Sequence, residues 1–447
     1  MPHIITEQRV PVRNGKARAR RARLAFGLLG AALLGSGASA ASEGVIRPPE
    51  PLPLAWCLER AEAHNATLAM DQALAEAAAQ RIRPAGSLDD PRLRSDLVNL
   101  PLGDGDLHSS PMSGLQFGLA QKLPFPGLLG AREDAARAGA AAAESGLADR
   151  RLRVRAAVEA AWVELGFAGQ ALAITDRNIA LLRQLSEVAA ARYRVGRGRQ
   201  QDVLRAQVEL TRLLDERLRN EQAIATREAR LAELLDLPPL LHFAAPTEIG
   251  EDAPLPDRAS VLQQIEERSP RLRALAEKVQ EKEHARRASE LAGYPDLDLG
   301  IGYRVRQNVP TDPVRGQDFL SAGLTLRLPV NRAKWRARVA EAGAELRHAK
   351  AAWRDERARL RDAGRSAYAL LERADGQVTL LATGLVPQAR QSLASSRSGY
   401  EVDKVDFLSL IDSQVSLLGA ELALARAKAD RRVAFASLET VVGETLR

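Results

Sequence analysis

The chain has 447 residues, 64 Lys and Arg against 57 Asp and Glu, and a formal charge of +7. Its single cysteine, Cys57, rules out an intramolecular disulfide, and the six scattered histidines form no spacing that would ligate a metal. No nucleophile–base spacing stands out either, so the expectation is a non-enzyme without cofactor or metal site.

Six basic residues (Arg13, Lys16, Arg18, Arg20, Arg21 and Arg23) precede an apolar run from Leu24 to Gly35 and then Ala38-Ser39-Ala40-Ala41. That order predicts a cleavable signal peptide over residues 1–40, cut after Ala40. The competing reading, a membrane anchor, needs a longer apolar run. Residues 1–40 carry seven basic groups and one acid, so the remaining chain is close to +1. The high isoelectric point then describes mostly a discarded segment, and a nucleic-acid partner loses its support. No later segment reads as apolar for long enough to cross a bilayer as a helix, so strands or the surface would have to meet any membrane. Leu54-Ala55-Trp56-Cys57 weakly matches a lipoprotein acylation site, but Trp56 is too bulky for the cleavage position, and a packed Cys57 is expected.

A first hairpin is predicted at about 91–123. Arg92 to Leu100 is followed by Leu115, Phe117 and Leu119 alternating with Gln116, Gly118 and Ala120, around a loop from Gly103 to Ser113. His108 and Met112 share that loop with Asp104 and Asp106, where an exposed turn is a plainer expectation than a soft-cation site. Gly127-Leu-Leu-Gly130 lacks the Lys-Ser/Thr of a phosphate loop. A heptad seam then runs through Val154, Val158, Ala161, Leu165, Ala168, Leu172, Thr175, Ile179, Leu182, Ser186 and Ala189. A turn at about 193–201, a further helix and a linker at 238–255 complete a first structural repeat over residues 41–255.

The second repeat, residues 256–447, has a stronger hairpin at about 295–329. Leu297, Leu299, Ile301, Tyr303 and Val305 alternate with Asp298, Gly300, Gly302 and Arg304, and Leu320, Ala322, Leu324, Leu326 and Leu328 alternate with Ser321, Gly323, Thr325 and Arg327. A second seam follows through Trp335, Val339, Ala342, Leu346, Ala349 and Trp353, resuming at Leu360, Ala363, Ala367 and Leu370. Pro387 should kink this helix or mark a join, before a turn at about 399–406 and a last helix. Each long helix would reach about 60 residues, or roughly 90 Å.

Period-two segments of this length suit transmembrane β-strands; surface hairpins packed on the helices are the alternative. Four strands cannot close a barrel, and an open edge in lipid leaves backbone groups unpaired. A barrel built from them must be shared between subunits. The two halves also repeat in the order of their elements and at a few residues: Tyr193, Val195, Gln207 and Val208 recur at a step of 207 as Tyr400, Val402, Gln414 and Val415.

Arg192-Tyr-Arg-Val-Gly-Arg-Gly-Arg-Gln-Gln-Asp-Val-Leu-Arg-Ala-Gln207 resembles the Y-x-x-G turn and V-L-x-A-Q run of TolC-like outer-membrane efflux proteins. Tyr400-Glu-Val-Asp-Lys-Val-Asp-Phe-Leu-Ser-Leu-Ile-Asp-Ser-Gln414 is its second copy, with Asp403 where glycine is usual. Asn99-Leu-Pro-Leu102 and Gln121-Lys-Leu-Pro-Phe-Pro-Gly127 resemble the branch serving heavy-metal pumps of the RND type, although Leu128 stands where that branch has a basic residue. The resemblance covers the chain from about Leu54 onward.

It implies an α+β membrane protein: a trimeric outer-membrane β-barrel, four strands per subunit, continued by a long α-helical coiled-coil tunnel. As a homotrimer among outer-membrane lipid it would be the passive exit duct of a tripartite efflux system, for heavy-metal cations. Its tip turns, Tyr193, Val195, Gly196, Tyr400, Val402 and Asp403, would face a periplasmic adaptor protein and an inner-membrane RND pump. Asp202, Arg205, Ser409 and Asp412 would form the periplasmic gate, with Ser409 replacing a second acid. Arg304, Arg327, Asp296 and Asp298 would face the lumen, biasing which ions pass without forming a filter. Two further readings stay open: a related duct for drugs or type I protein secretion, and a soluble periplasmic coiled-coil scaffold.

Overall fold

Two long helical stretches dominate the chain. The structure, a computed structural model, describes residues 48–103, 105–246, 254–310 and 312–446. The signal peptide expected over residues 1–40 lies outside these, as do Asp104 and residues 247–253 of the linker.

Three short helices come first: α1 (Leu54–His64), α2 (Ala66–Gln80) and α3 (Ile82–Gly86). Asn65 Oδ1 accepts the amides of Thr67 and Leu68, so it caps α2. Its Nδ2 donates to the Leu234 carbonyl at 2.9 Å, tying that cap to a distant helix end. Cys57 on α1 is fully buried, and burial pushes its thiol up to about 12. A thiol so placed is packing material, in line with the expectation for it.

The antiparallel strands β1 (Arg92–Val98) and β2 (Gly114–Leu123) lead into α4 (Leu128–Arg194), 67 residues and about 100 Å long. After a turn, α5 (Gln200–Leu234) runs back. The second half repeats this order with α6 (Arg258–Arg268), α7 (Pro270–Leu291), β3 (Asp296–Arg306), β4 (Phe319–Arg327) and a second long stretch. Asp257, Ser269 and Asn331 cap α6, α7 and the second long stretch with their side chains, and Pro270 supplies the preset first residue of α7.

The second stretch comprises α8 (Arg332–Leu380), a π-helical turn (Leu381–Leu385) and α9 (Val386–Glu401), without a break. Pro387 has no amide to offer the carbonyl four residues back, and its ring crowds that carbonyl. The widened turn just before it relieves the conflict: Val386 N–H reaches back five residues to Leu381. Pro387 therefore marks a join within one helical run. The chain ends with α10 (Phe407–Val442).

Of the first seam, every residue except Leu172 and Ser186 is buried. A second buried stripe through Ala171, Ile174, Asn178 and Leu185 exists because α4 is covered by α5, α7 and α10 at once. The second seam needs a correction. Leu370 is 54% exposed, while Leu371 is fully buried. The contact line runs Leu360, Gly364, Ala367, Leu371 and Ala374. Gly364 marks it: a Cβ there would stand 2.2 Å from Ile265 Cδ1, so α6 lies against α8 with Ile265 seated over the glycine. Val261, Ile265, Tyr368, Phe435 and Leu438 fill the core around that contact.

Two helices, α4 and α10, are also long and apolar enough to cross a membrane by length and composition alone. The expectation that no later segment qualifies was too strict, because alanine and leucine score as apolar wherever they lie. These helices pack on each other, joined by the buried pair of Glu159 and Arg432 at 2.6 Å.

The four strands form one antiparallel sheet in the order β1-β2-β3-β4. The helices that enter or leave them pack side by side in the same order, α3 on α4, α4 on α7, α7 on α8. The register places Leu93, Leu119 and Ile301 in one row, with Phe117 beside Tyr303 and Leu299 beside Leu324. One face is therefore almost wholly apolar, and it is open: Leu93, Ile301, Leu320 and Leu324 are all more than 60% exposed. The opposite face carries glycine and charge.

Candidate functional site

Two regions have the makings of a functional site: the helix tips and the charged face of the sheet.

At the first tip, α4 ends with Gly196 in the left-handed region (φ +72), and Arg197 N–H returns to the Arg192 carbonyl at 2.9 Å. This is the six-to-one closure that stops a helix. At the second tip, Asp403 takes the same conformation (φ +58), and Lys404 N–H returns to the Gly399 carbonyl at 2.9 Å. Each equivalent residue is 207 positions on, so the repeat is kept at the level of individual backbone hydrogen bonds. Asp403 adopts the glycine conformation, as a short polar side chain allows.

What Asp403 adds is a carboxylate. Arg192 Nη1 donates to its Oδ1 at 2.6 Å and Nη2 donates to the Glu401 carbonyl at 3.1 Å. The same guanidinium lies 4.4 Å from the centroid of the Tyr400 ring. One arginine at the end of α4 thus clasps the turn between α9 and α10. Nothing in the local sequence pairs residues 192 and 403, so this contact was missed.

Tyr193, Val195, Gly196, Val402 and Asp403 are exposed on the two turns. Tyr400 differs. It is buried against Phe407 and among Leu182, Leu185, Ala189 and Leu410, holding its turn from within. Burial pushes its phenol above the usual value. The two copies of the motif differ again at Gln207, which is exposed, and Gln414, which is buried and donates to Asn178 Oδ1 at 2.6 Å.

Asp202, Arg205 and Asp412 line one open groove between α5 and α10, with Leu204, Val208 and Leu408. Asp202 accepts the Arg199 amide at 3.3 Å, the reciprocal half of a capping box. Arg205 turns to Glu209 at 3.3 Å, and Arg212 meets the same carboxylate at 2.8 Å. Glu209 was missed although its i+4 and i−3 spacing to two arginines is a local signal. Ser409 lies outside the groove lining: its amide donates to Asp406, the cap of α10, and these bonds hold the Asp406 carboxyl below its usual value.

Breaking the clasp should loosen the second tip. Arg192→Ala should speed tryptic cutting after Lys404. Asp403→Gly should matter less, because it keeps the left-handed turn and the Glu401 and Tyr400 contacts. Asp403→Val should be the worst, since a β-branched residue in that conformation costs about 1–2 kcal/mol. Equal cleavage rates in all three would show that the clasp does not hold the turn.

On the sheet, Arg94 and Asp96 pair at 2.6 Å, and Asp296 lies between Lys122 at 3.4 Å and Arg327 at 3.3 Å. Arg304 donates from Nε and Nη2 to Gln116 Oε1 at 3.1 and 2.8 Å. Above them the buried Arg306 meets Asp312 of its own loop at 2.8 Å and the Pro111 carbonyl of the other loop through Nε at 3.0 Å, fastening both loops together. Among the described residues no cluster of His, Cys, Asp and Glu is arranged to hold a metal ion.

Residues 261–444 match the family of outer membrane efflux proteins. No curated protein sequence matches the chain. Several solved structures do. The outer membrane protein VceC of Vibrio cholerae is 17% identical with a TM-score of 0.74, over 88% of this chain and 97% of that one. The outer-membrane channel OprN is 17% identical with a TM-score of 0.73, over 87% and 89%. CusC, whose structures follow transmembrane channel formation, is 15% identical with a TM-score of 0.73, over 90% and 99%. The chain therefore has the fold of outer-membrane channel proteins, and its second half carries the match to the outer membrane efflux protein family.

Proposed function

We propose that the chain is the outer-membrane exit duct of a tripartite efflux system. Three copies would supply twelve strands to one barrel, and their long helices would continue it as a tunnel across the periplasm. The observation that carries this reading is the sheet: one face apolar and open, both outer strands, β1 and β4, unpaired along one edge. In water such a sheet would aggregate. In lipid it is tolerated only when closed, and four strands per chain close only with partners. A soluble scaffold would need its helices to cover that face.

The duct itself is passive, with energy supplied by an inner-membrane pump. The exposed turn residues Tyr193, Val195, Gly196, Val402 and Asp403 would meet a periplasmic adaptor, with Tyr400 bracing the second turn. Asp202, Arg205 and Asp412, sharing one groove, would form the gate, with Ser409 outside the groove beside the cap of α10. On cargo, the motifs at Asn99 and Gln121 support export of heavy-metal cations by an RND-type pump.

The test is a deletion strain challenged with divalent metals, drugs and detergents, together with fractionation of the protein. Metal sensitivity supports the cation assignment. Unchanged metal tolerance with drug sensitivity overturns that assignment and keeps the duct. Release with the periplasmic extract, with no trimer in detergent, overturns the duct.

A further inference from the structure

The charged face of the sheet is not balanced. By register, Arg92, Arg94, Lys122, Arg304 and Arg327 share it with only three carboxylates, Asp96, Asp296 and Asp298. Asp96 is taken by Arg94, and the cation nearest Asp298 is Arg92 at 4.0 Å. Asp296 must serve both Lys122 and Arg327. Among the described residues, the hydrogen-bond partner of the Arg304 guanidinium is the neutral Gln116. Arg306, at the upper end of the same face, is already neutralised by Asp312. Two positive charges per chain are left over, on side chains that share the face with Gly118, Gly300, Gly302 and Gly323 and with the neutral Gln116, Ser321 and Thr325.

We propose that this strand-lined stretch favours anionic solutes, and that Arg304 and Arg327 set the preference. The inference rests on the duct reading above, in which the charged face lines the passage. Three chains would then place an excess of six positive charges around one water-filled space with a low-dielectric wall. Such a wall focuses the field and raises the local concentration of the opposite sign, as rings of Arg or Lys do in anion pores. The effect fades with salt, since charges are screened over about 10 Å at 0.1 M. A wide passage still admits both signs, so these charges bias the flow of a metal cation against it without barring it.

The experiment uses the full trimer in a planar bilayer of neutral lipid under a low-salt KCl gradient. The reversal potential should have the sign of chloride selectivity. Arg304→Gln/Arg327→Gln should lose or invert it, and Arg304→Lys/Arg327→Lys should keep it. A cation-selective parent overturns the inference and leaves the duct standing; failure to form a membrane-inserted trimer overturns the duct. Where a closed tip limits conductance, binding of a trisulfonate dye to the detergent-solubilised trimer gives the same answer by anisotropy. The double Gln variant should bind several-fold more weakly, and equal binding by parent and variant overturns the inference.

Discussion

Replacing Arg432 with Met should lower the melting midpoint of the helical circular-dichroism signal more than any other single change between α4 and α10. Arg432 Nε donates to Glu159 Oε1 at 2.6 Å, and Glu159 is 1% exposed. Removing one partner of a buried ion pair leaves the other charge desolvated, at a cost of about 3–5 kcal/mol. That corresponds to a fall of about 3–6 °C in a chain of this size. Glu159→Leu/Arg432→Met removes both charges and should recover most of the loss, because well-packed apolar side chains replace such pairs at little cost. Arg219→Ala, at an exposed pair on α5, should leave the midpoint where it was. A double variant no better than the single one would show that α4 and α10 are joined by something other than this pair.

Much of the fold was legible because it rests on periodicity. Alternation alone located the apolar face of β2, β3 and β4, and the four–three spacing located the inner line of α4. The slip from Leu371 to Leu370 has a physical origin. In an alanine-rich helix nearly every position is apolar enough to seem buried, so the pattern does not choose between neighbouring stripes. The residue that does choose is Gly364, whose meaning depends on Ile265, almost a hundred positions earlier and on another helix. Likewise the second buried stripe of α4 follows from its number of neighbours, which no single segment encodes.

The tips show the same limit more sharply. The two turns match in sequence and in backbone, yet Tyr193 is exposed and Tyr400 is buried. Duplication reproduces local conformation, whereas burial depends on which layer of helices each copy enters. The groove of Asp202, Arg205 and Asp412 came from the resemblance, and the structure brings those three together. Ser409 is held within its own helix cap by Asp406, whereas the Arg192 clasp was decided by a contact between the two halves. The clasp is a departure from two-fold internal symmetry: the position equivalent to Arg192 is Gly399, where a Cβ would stand 2.4 Å from Val405 Cγ2. One repeat supplies the arginine and the other accepts it, so the two tips are held as one unit with unequal sides.

Ile301→Arg should abolish assembly in the outer membrane. Ile301 is at the middle of β3, faces Leu119 and Ala322 across the sheet, and is 61% exposed. If that face meets lipid, an arginine at mid-depth costs about 2–4 kcal/mol in each chain, and a trimer carries three. The substitution leaves every backbone hydrogen bond of the sheet available, so the loss reports the surroundings of the face and not the strand itself. Thr325→Arg is the matched control. It lies one strand away on the charged face, opposite Asp298, where an added cation meets water and a carboxylate. The measurement is the amount of unboiled trimer in isolated outer membranes. Ile301→Arg should leave little or none, and Thr325→Arg should leave it near the parental level. Equal loss in both would point to a sheet that tolerates no arginine anywhere; equal survival would mean that the apolar face is covered by something other than lipid, and the barrel would have to be given up.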